Sequence, residues 1–110
     1  MTVEFHASRD VIVRTEAWDE ALEFYGSVLG YPVTRKSATL ASFETSGFRL
    51  YVEKGPAHGP VFDFLTPDVQ TAKRRLLAAG CKEVEENASI PRCYVRDPFG
   101  VVFNIGKSGS

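Results

Sequence analysis

Apolar residues recur at two distinct spacings along the chain, and each spacing predicts a different element. Spacing of three and four residues, from Trp18 through Tyr25 to Leu29, predicts a helix over residues 16–29, and a similar pattern predicts one over 68–79. Stretches of alternating apolar and polar residues predict strands. These stretches are residues 10–14, 31–36, 39–44, 48–53, 61–65, 82–86, 90–96 and 101–105.

The predicted elements occur twice in the same order, at an offset of about fifty residues. Thr15 matches Thr66, and Gly47 before one strand matches Gly100 before another. Between the two copies lies a stretch rich in glycine and proline. The sequence therefore predicts one α+β domain over residues 1–110, built from a β-α-β-β-β module at 10–54, a linker at 55–60 and a second β-α-β-β-β module at 61–106.

Alternation assigns the side chains of the predicted strands to two faces of the sheet. One face would pack against the helices, with Val11, Val13, Phe48, Leu50, Val52, Phe62, Phe64, Val101, Phe103 and Ile105. The other would line a trough, with Asp10, Ile12, Arg14, Arg49, Tyr51, Glu53, Val61, Asp63, Leu65, Val102 and Asn104. A trough with so many polar and large side chains is a candidate binding surface.

Composition narrows the classes of function. A chain of 110 residues with a formal net charge of −1 has no basic field for nucleic acid and no polybasic patch for a membrane. Its N-terminus lacks the apolar run of a signal peptide, so the expected location is the cytoplasm. Cys81 and Cys93 form no metal-binding or disulfide pattern, and we expect both to be small buried side chains.

Two motifs resemble the vicinal oxygen chelate superfamily, which includes glyoxalase, extradiol dioxygenases and bleomycin-resistance proteins. One is Glu20-Ala-Leu-Glu-Phe-Tyr-Gly-Ser-Val-Leu-Gly-Tyr31, and the other is the turn Arg96-Asp-Pro-Phe-Gly100 before the last strand. The resemblance covers residues 10–106. It implies paired β-α-β-β-β modules in a cupped mixed sheet, commonly in a homodimer with ligand pockets between chains.

The resemblance also implies where metal-dependent members carry their ligands. Those positions fall on Asp10, Tyr51, Val61 and Asn104. Asp10 is a plausible ligand for a transition metal, Tyr51 and Asn104 are poor ones, and Val61 is none. The expectation is therefore a site without metal and without another cofactor. His6 and His58 are expected to be surface residues.

Without metal, the resemblance points to binding of a small organic molecule, as in the bleomycin-resistance type. The candidate ligand-binding residues are Asp10, Ile12, Phe43, Arg49, Tyr51, Val61, Asp63, Tyr94 and Asn104. We also expect a homodimer, because an aromatic and partly apolar trough is half a pocket. Two alternatives stay open. One is a lyase, isomerase or dioxygenase of the same superfamily that acts on a small metabolite, using Asp10 or Asp63, with or without a divalent metal. The other is an interaction domain without a small ligand.

Overall fold

The computed structural model describes residues 4–90 and 92–108, which form an α+β fold of eight strands and two helices. The chain divides into two compact units. The first unit comprises residues 9–60, and the second comprises the described residues of 1–8 and 61–110. None of the described helices is long and apolar enough to cross a membrane.

The first unit carries one helical segment and a mixed four-stranded sheet in the order β2-β3-β4-β1. The helix α1, Trp18–Glu23, continues as a π-helical turn, Phe24–Val28, and Gly30 follows with a left-handed φ of 76°. Strands β1 and β4 run parallel, and the other neighbours are antiparallel. The strands are β1 His6–Thr15, β2 Val33–Lys36, β3 Leu40–Glu44 and β4 Arg49–Lys54.

The second unit repeats this arrangement, with strands in the order β5-β8-β7-β6 and only β5 and β8 parallel. Its helix α2, Val69–Ala78, begins after Asp68, whose carboxylate accepts the Thr71 N–H at 3.1 Å. Asp68 is thus the N-terminal cap of α2, and the helix begins one residue after the predicted start at residue 68. The strands are β5 His58–Thr66, β6 Lys82–Asn87, β7 Arg92–Arg96 and β8 Val102–Lys107.

The predicted elements all occur, with different ends. Strand β1 begins four residues before the predicted start at residue 10, and β5 begins at His58, so the last part of the predicted linker 55–60 is strand. Proline is tolerated near the start of a strand, which explains why Pro60 does not interrupt β5. The predicted turn before β8 is confirmed: Asp97 Oδ1 accepts the N–H groups of Phe99 and Val101, both at 2.9 Å.

Each unit has its own core between helix and sheet. In the first unit Leu50 and Val52 pack against α1, as alternation predicts, and in the second Phe103 and Ile105 pack with Ala72 of α2. Phe5, which precedes β1, also packs on the second core. Phe48 and Val101 were expected in the cores but are both 39% exposed, because they precede β4 and β8.

Phe43 was expected in the ligand-binding trough, and this assignment is wrong. The ring is fully buried, its centroid lies 5.9 Å from that of Tyr25, and it belongs to the same core as Leu50, its partner across β3 and β4. Ala41, Ser42 and Phe43 are all buried, so both sides of β3 are covered, and the alternation of Ala41 and Phe43 with Ser42 and Glu44 agrees with a core position for Phe43.

Candidate functional site

The face of each sheet that is turned away from its helix carries most of the predicted site residues. Because Leu50 and Val52 face α1, their neighbours Arg49, Tyr51 and Glu53 lie on the opposite side of β4. We call these surfaces the first and the second polar face. The first carries Asp10, Ile12, Arg14, Ser42, Arg49, Tyr51 and Glu53, and the second carries Val61, Asp63, Leu65, Glu85, Arg92, Tyr94, Val102, Asn104 and Gly106.

Two ion pairs cross β1 and β4 on the first polar face. Arg49 Nε donates to Asp10 Oδ1 at 2.9 Å, and the charge of Asp10 raises the pKa of the guanidinium. Four residues further along each strand, Arg14 Nη1 lies 3.7 Å from Glu53 Oε1, and Arg14 Nε also donates to the Pro56 carbonyl at 2.8 Å. Between these ion pairs, Ile12 lies opposite Tyr51.

A hydrogen-bonded network centred on Asp63 occupies the second polar face. Ser8 Oγ donates to Asp63 Oδ2, and Asn104 Nδ2 donates to Asp63 Oδ1, both at 3.0 Å. Asn104 Oδ1 in turn accepts the backbone N–H of Cys93 at 2.8 Å. Both ends of the Asn104 amide are therefore engaged, and both oxygens of the partly buried Asp63 carboxylate accept a bond from a neutral donor.

Tyr94 lies beside this network, opposite Asn104 in the pairing of β7 with β8. Its ring is covered by Arg92, whose guanidinium carbon lies 4.9 Å from the ring centroid. Arg92 Nη1 also donates to Glu85 Oε2 at 2.9 Å. Tyr94 is only 2% exposed, so at this position the second polar face presents Arg92 and Glu85 more than the phenol ring.

The two polar faces have the same register. Ile12 pairs with Tyr51 in the first unit, and Asp63 pairs with Asn104 in the second, at the positions that the internal repeat makes equivalent. The ion pair Arg14–Glu53 is likewise replaced by Leu65 and Gly106. Where one face is charged, its counterpart is apolar.

The structure thus brings the predicted site residues together in two groups. Asp10, Ile12, Arg49 and Tyr51 are neighbours on the first polar face. Asp63, Tyr94 and Asn104 are neighbours on the second, where Val61 is 2% exposed.

Sequence reasoning missed several residues of the second group. Ser8 precedes the first predicted strand, which begins at residue 10, and Arg92 is absent from the candidate ligand-binding residues. Gly106 lies close to the network, because a Cβ there would lie 3.2 Å from Asp63 Oδ1 and 2.9 Å from Leu65 Cδ2. The available signal was a glycine inside a strand, which marks a close approach of other atoms.

Cavities within the units do not coincide with the predicted site residues. One of about 570 Å³ lies between α1 and β2, and one of about 500 Å³ lies beside Tyr25 and His58. A third, of about 320 Å³, is bounded by Val69, Cys93 and Ile105 of the second unit, where burial raises the pKa of the Cys93 thiol. Of the polar-face residues, Arg14 lines the second of these cavities, and Arg92 and Gly106 line the third, but none of the predicted site residues lines any of the three.

Comparison with known proteins gives the family. A model of the glyoxalase-like domain family matches residues 10–106. The chain belongs to the glyoxalase-like domain family. No curated protein sequence matches it.

Solved structures of the same superfamily share the fold at low sequence identity. A glyoxalase/bleomycin resistance protein/dioxygenase superfamily member from Vibrio splendidus 12B01 is 15% identical, with a TM-score of 0.66 over 97% of this chain and 100% of its own. Homoprotocatechuate 2,3-dioxygenase from Brevibacterium fuscum, in complex with 3,4-dihydroxyphenylacetate, is 18% identical, with a TM-score of 0.69 over 98% of this chain and 38% of its own. A Mn(II)-bound glyoxalase from Novosphingobium aromaticivorans is 19% identical, with a TM-score of 0.63 over 96% of this chain and 40% of its own. The chain spans well under half the length of the latter two proteins, and the likeness shows the fold.

The residues at the implied metal-ligand positions do not fit a divalent metal. Val61 has no donor atom, and the Asn104 oxygen already accepts the Cys93 N–H. Asp10 is paired with Arg49, and Tyr51 is a poor ligand in its neutral form. Among residues 4–90 and 92–108, no group of three or more His, Cys, Asp or Glu side chains is placed to hold a metal ion.

Proposed function

We propose that this glyoxalase-like protein binds a small organic molecule on its polar faces without a resident metal, and acts by sequestration, as of a drug or antibiotic. The observation that carries the proposal is the donor set at the implied ligand positions. A metal site in an enzyme of this kind needs about three good protein ligands and an open position. Here these positions hold an ion pair, a phenol, a valine and an amide with both ends bonded.

The same side chains suit recognition of an organic molecule. Arg49 and Asp10 offer charged groups, and Tyr51 and Ile12 offer apolar area between two ion pairs. On the second polar face, Asp63 and Asn104 offer a carboxylate and an amide held in fixed orientation. Fixed polar groups reduce the entropy lost on binding, and they select among ligands by hydrogen bonding.

A thermal-shift screen of aromatic and peptide-like compounds tests the proposal. A ligand at a hundred times its Kd stabilises the folded state by about 2.7 kcal/mol, which raises Tm measurably. The expected result is a shift that Tyr51→Ala or Asn104→Ala reduces, with the bound compound recovered unchanged. Lys82→Ala, at an exposed position of β6, is the control. A shift unaffected by Tyr51→Ala and Asn104→Ala would place the ligand elsewhere.

The alternative is an enzyme of the same superfamily, acting on a small oxygenated metabolite with a carboxylate as base. Asp63 suits this role better than Asp10, because Asp10 is paired with Arg49 whereas Asp63 is held by neutral donors. Turnover of a bound compound that Asp63→Asn abolishes would favour the enzyme over sequestration.

We further propose that the protein is a homodimer, since open polar faces with aromatic and apolar residues need a second surface to enclose a ligand. Light scattering at micromolar concentration tests this. Twice the 12.2 kDa chain mass is the expected value, and a monomer would contradict the proposal.

A further inference from the structure

Among the described residues, Asp63 differs from the other carboxylates of the polar faces in having no basic partner. Asp10 is paired with Arg49, Glu53 with Arg14, and Glu85 with Arg92. Within the part of the chain that the structure describes, Asp63 accepts hydrogen bonds from Ser8 and Asn104 and forms no ion pair. Its negative charge is therefore solvated by dipoles but not neutralised.

Apolar side chains around Asp63 make this unpaired charge more costly in free energy. Val61 and Leu65 flank it along β5, and Val102 and Gly106 flank Asn104 along β8. A partly buried charge among apolar side chains is costly unless an opposite charge comes close. The equivalent position of the first unit shows the contrast, because there the neutral Ile12 lies between two ion pairs.

The position of the carboxylate is determined by several elements. Ser8 of β1 holds one oxygen, Asn104 of β8 holds the other, and the Cys93 N–H of β7 orients the Asn104 amide. Each carboxylate oxygen has two lone pairs and uses one in this network. The remaining acceptor sites are free to take a donor from outside the protein, since Asp63 is only partly buried.

We infer that Asp63 anchors the protonated amine of the ligand, and that the ligand's apolar body packs on the neighbouring side chains of the second polar face. This inference rests on the proposed function and specifies its ligand as a small amphipathic amine. An ammonium group supplies the charge that Asp63 lacks and donates a charge-assisted hydrogen bond. Asn104 and Ser8 are positioning residues, because they hold the carboxylate that meets the amine.

Titration of the full chain with benzylamine and with benzyl alcohol, followed by NMR of backbone and side-chain amides, tests the inference. The two probes share a ring and differ in the charged group. The Asn104 side-chain amide is a direct reporter, since it donates to Asp63. We expect benzylamine to shift this resonance and to bind at least tenfold more tightly than benzyl alcohol. Asp63→Asn should abolish that preference.

Glu83→Gln is the matched control, because it removes a carboxylate of β6 that interacts with Lys73. It should leave the preference for benzylamine intact. Equal affinity for the two probes in the unmodified protein would overturn the inference even if Asp63→Asn failed to fold, and so would an unchanged preference in Asp63→Asn. In either case a positive thermal-shift screen that depends on Tyr51 would still support the proposed function.

Discussion

The two units pair their central strands in the same register but place opposite chemistry on their polar faces. In the first unit the ion pairs Asp10–Arg49 and Arg14–Glu53 flank Ile12 and Tyr51, which lie opposite each other on β1 and β4. In the second, Val61 and Leu65 enclose the polar contact of Asp63 with Asn104. The two units thus share the strand register but carry different side chains at the equivalent positions.

This difference shows which constraints the fold imposes and which it leaves open. Residues facing the helices are apolar in both units, for example Leu50 and Phe103, because burial between helix and sheet demands it. Residues on the polar faces have no such requirement. The two polar faces accordingly differ: ion pairs flank neutral side chains on the first, and apolar side chains flank the Asp63 carboxylate on the second.

The largest change in the free energy of unfolding is expected from breaking the hydrogen-bonded network of the second polar face. Asn104→Ala removes one donor to Asp63 and leaves the Cys93 N–H without its acceptor. Loss of a partner to a buried group costs about 1–3 kcal/mol, and we expect a fall of that size in the free energy of unfolding, measured by denaturant titration.

A double-mutant cycle compares the two faces directly. Alanine substitutions of Asp63 and Asn104 should show a coupling energy of about 0.5–3 kcal/mol, because the two side chains share a hydrogen bond. The equivalent cycle of Ile12 with Tyr51 joins side chains paired without such a bond and should give the smaller coupling. A larger coupling in the first unit would contradict the contrast drawn here.

Placing a methyl group beside the Asp63–Asn104 hydrogen bond should lower the free energy of unfolding by less than removing that bond. In Gly106→Ala the new Cβ would lie 3.2 Å from Asp63 Oδ1, which cannot retreat without lengthening its bond to Asn104, whereas Leu65 can rotate away. We expect a loss of about 1 kcal/mol in the free energy of unfolding, at the low end for overpacking. Gly47→Ala is the matched control, since its Cβ would meet no atom within 4 Å. An equal cost in the two variants would exclude the close approach as the cause.

The second unit should also lose stability at acidic pH, because ion pairs between α2 and β6 are lost when their carboxylates are protonated. Lys73 of α2 contacts Glu83 and Glu86 of β6, and Lys73 lowers the pKa of Glu83. A carboxyl whose pKa is lower in the folded state stabilises the protein above its unfolded pKa, ordinarily 4.5, and this contribution is lost as pH falls further. Lys73→Met should therefore make the free energy of unfolding less dependent on pH below about 4.5. An unchanged pH profile would contradict this.

The smallest effect is expected from the first polar face. The Asp10–Arg49 pair is partly exposed to solvent, and such pairs contribute about 0.2–1 kcal/mol. A cycle of Asp10→Asn with Arg49→Gln should give a coupling energy in this range that decreases at high salt. The coupling of Asp63 with Asn104 involves no ion pair and should change less with salt. The opposite order of salt sensitivity would refute the distinction between the faces.

The sequence predicted the elements and, along β4 and β8, the residues that face the helices, because alternation reports which side of a strand is buried. Phe62 of β5, also expected to face a helix, is 43% exposed. Prediction from the sequence failed for Phe43, since β3 is buried on both faces, and for the ends of β1 and β5, where no change in pattern marks the boundary. The Ser8–Asp63–Asn104 network could not be predicted from the sequence for a different reason. It depends on the register of strands that are 41 and 55 residues apart in the chain, which no local pattern encodes.

Metal content is the most direct test of the central claim, that this glyoxalase-like chain binds its ligand without a metal. The purified protein is incubated with manganese, iron, nickel and zinc salts, passed through a desalting column and subjected to elemental analysis. We expect far less than one metal ion per chain, because the Val61 side chain has no donor atom and the Asn104 amide is bonded at both ends. Near-stoichiometric metal that is lost in Asp10→Ala would contradict it and would support a metal-dependent enzyme.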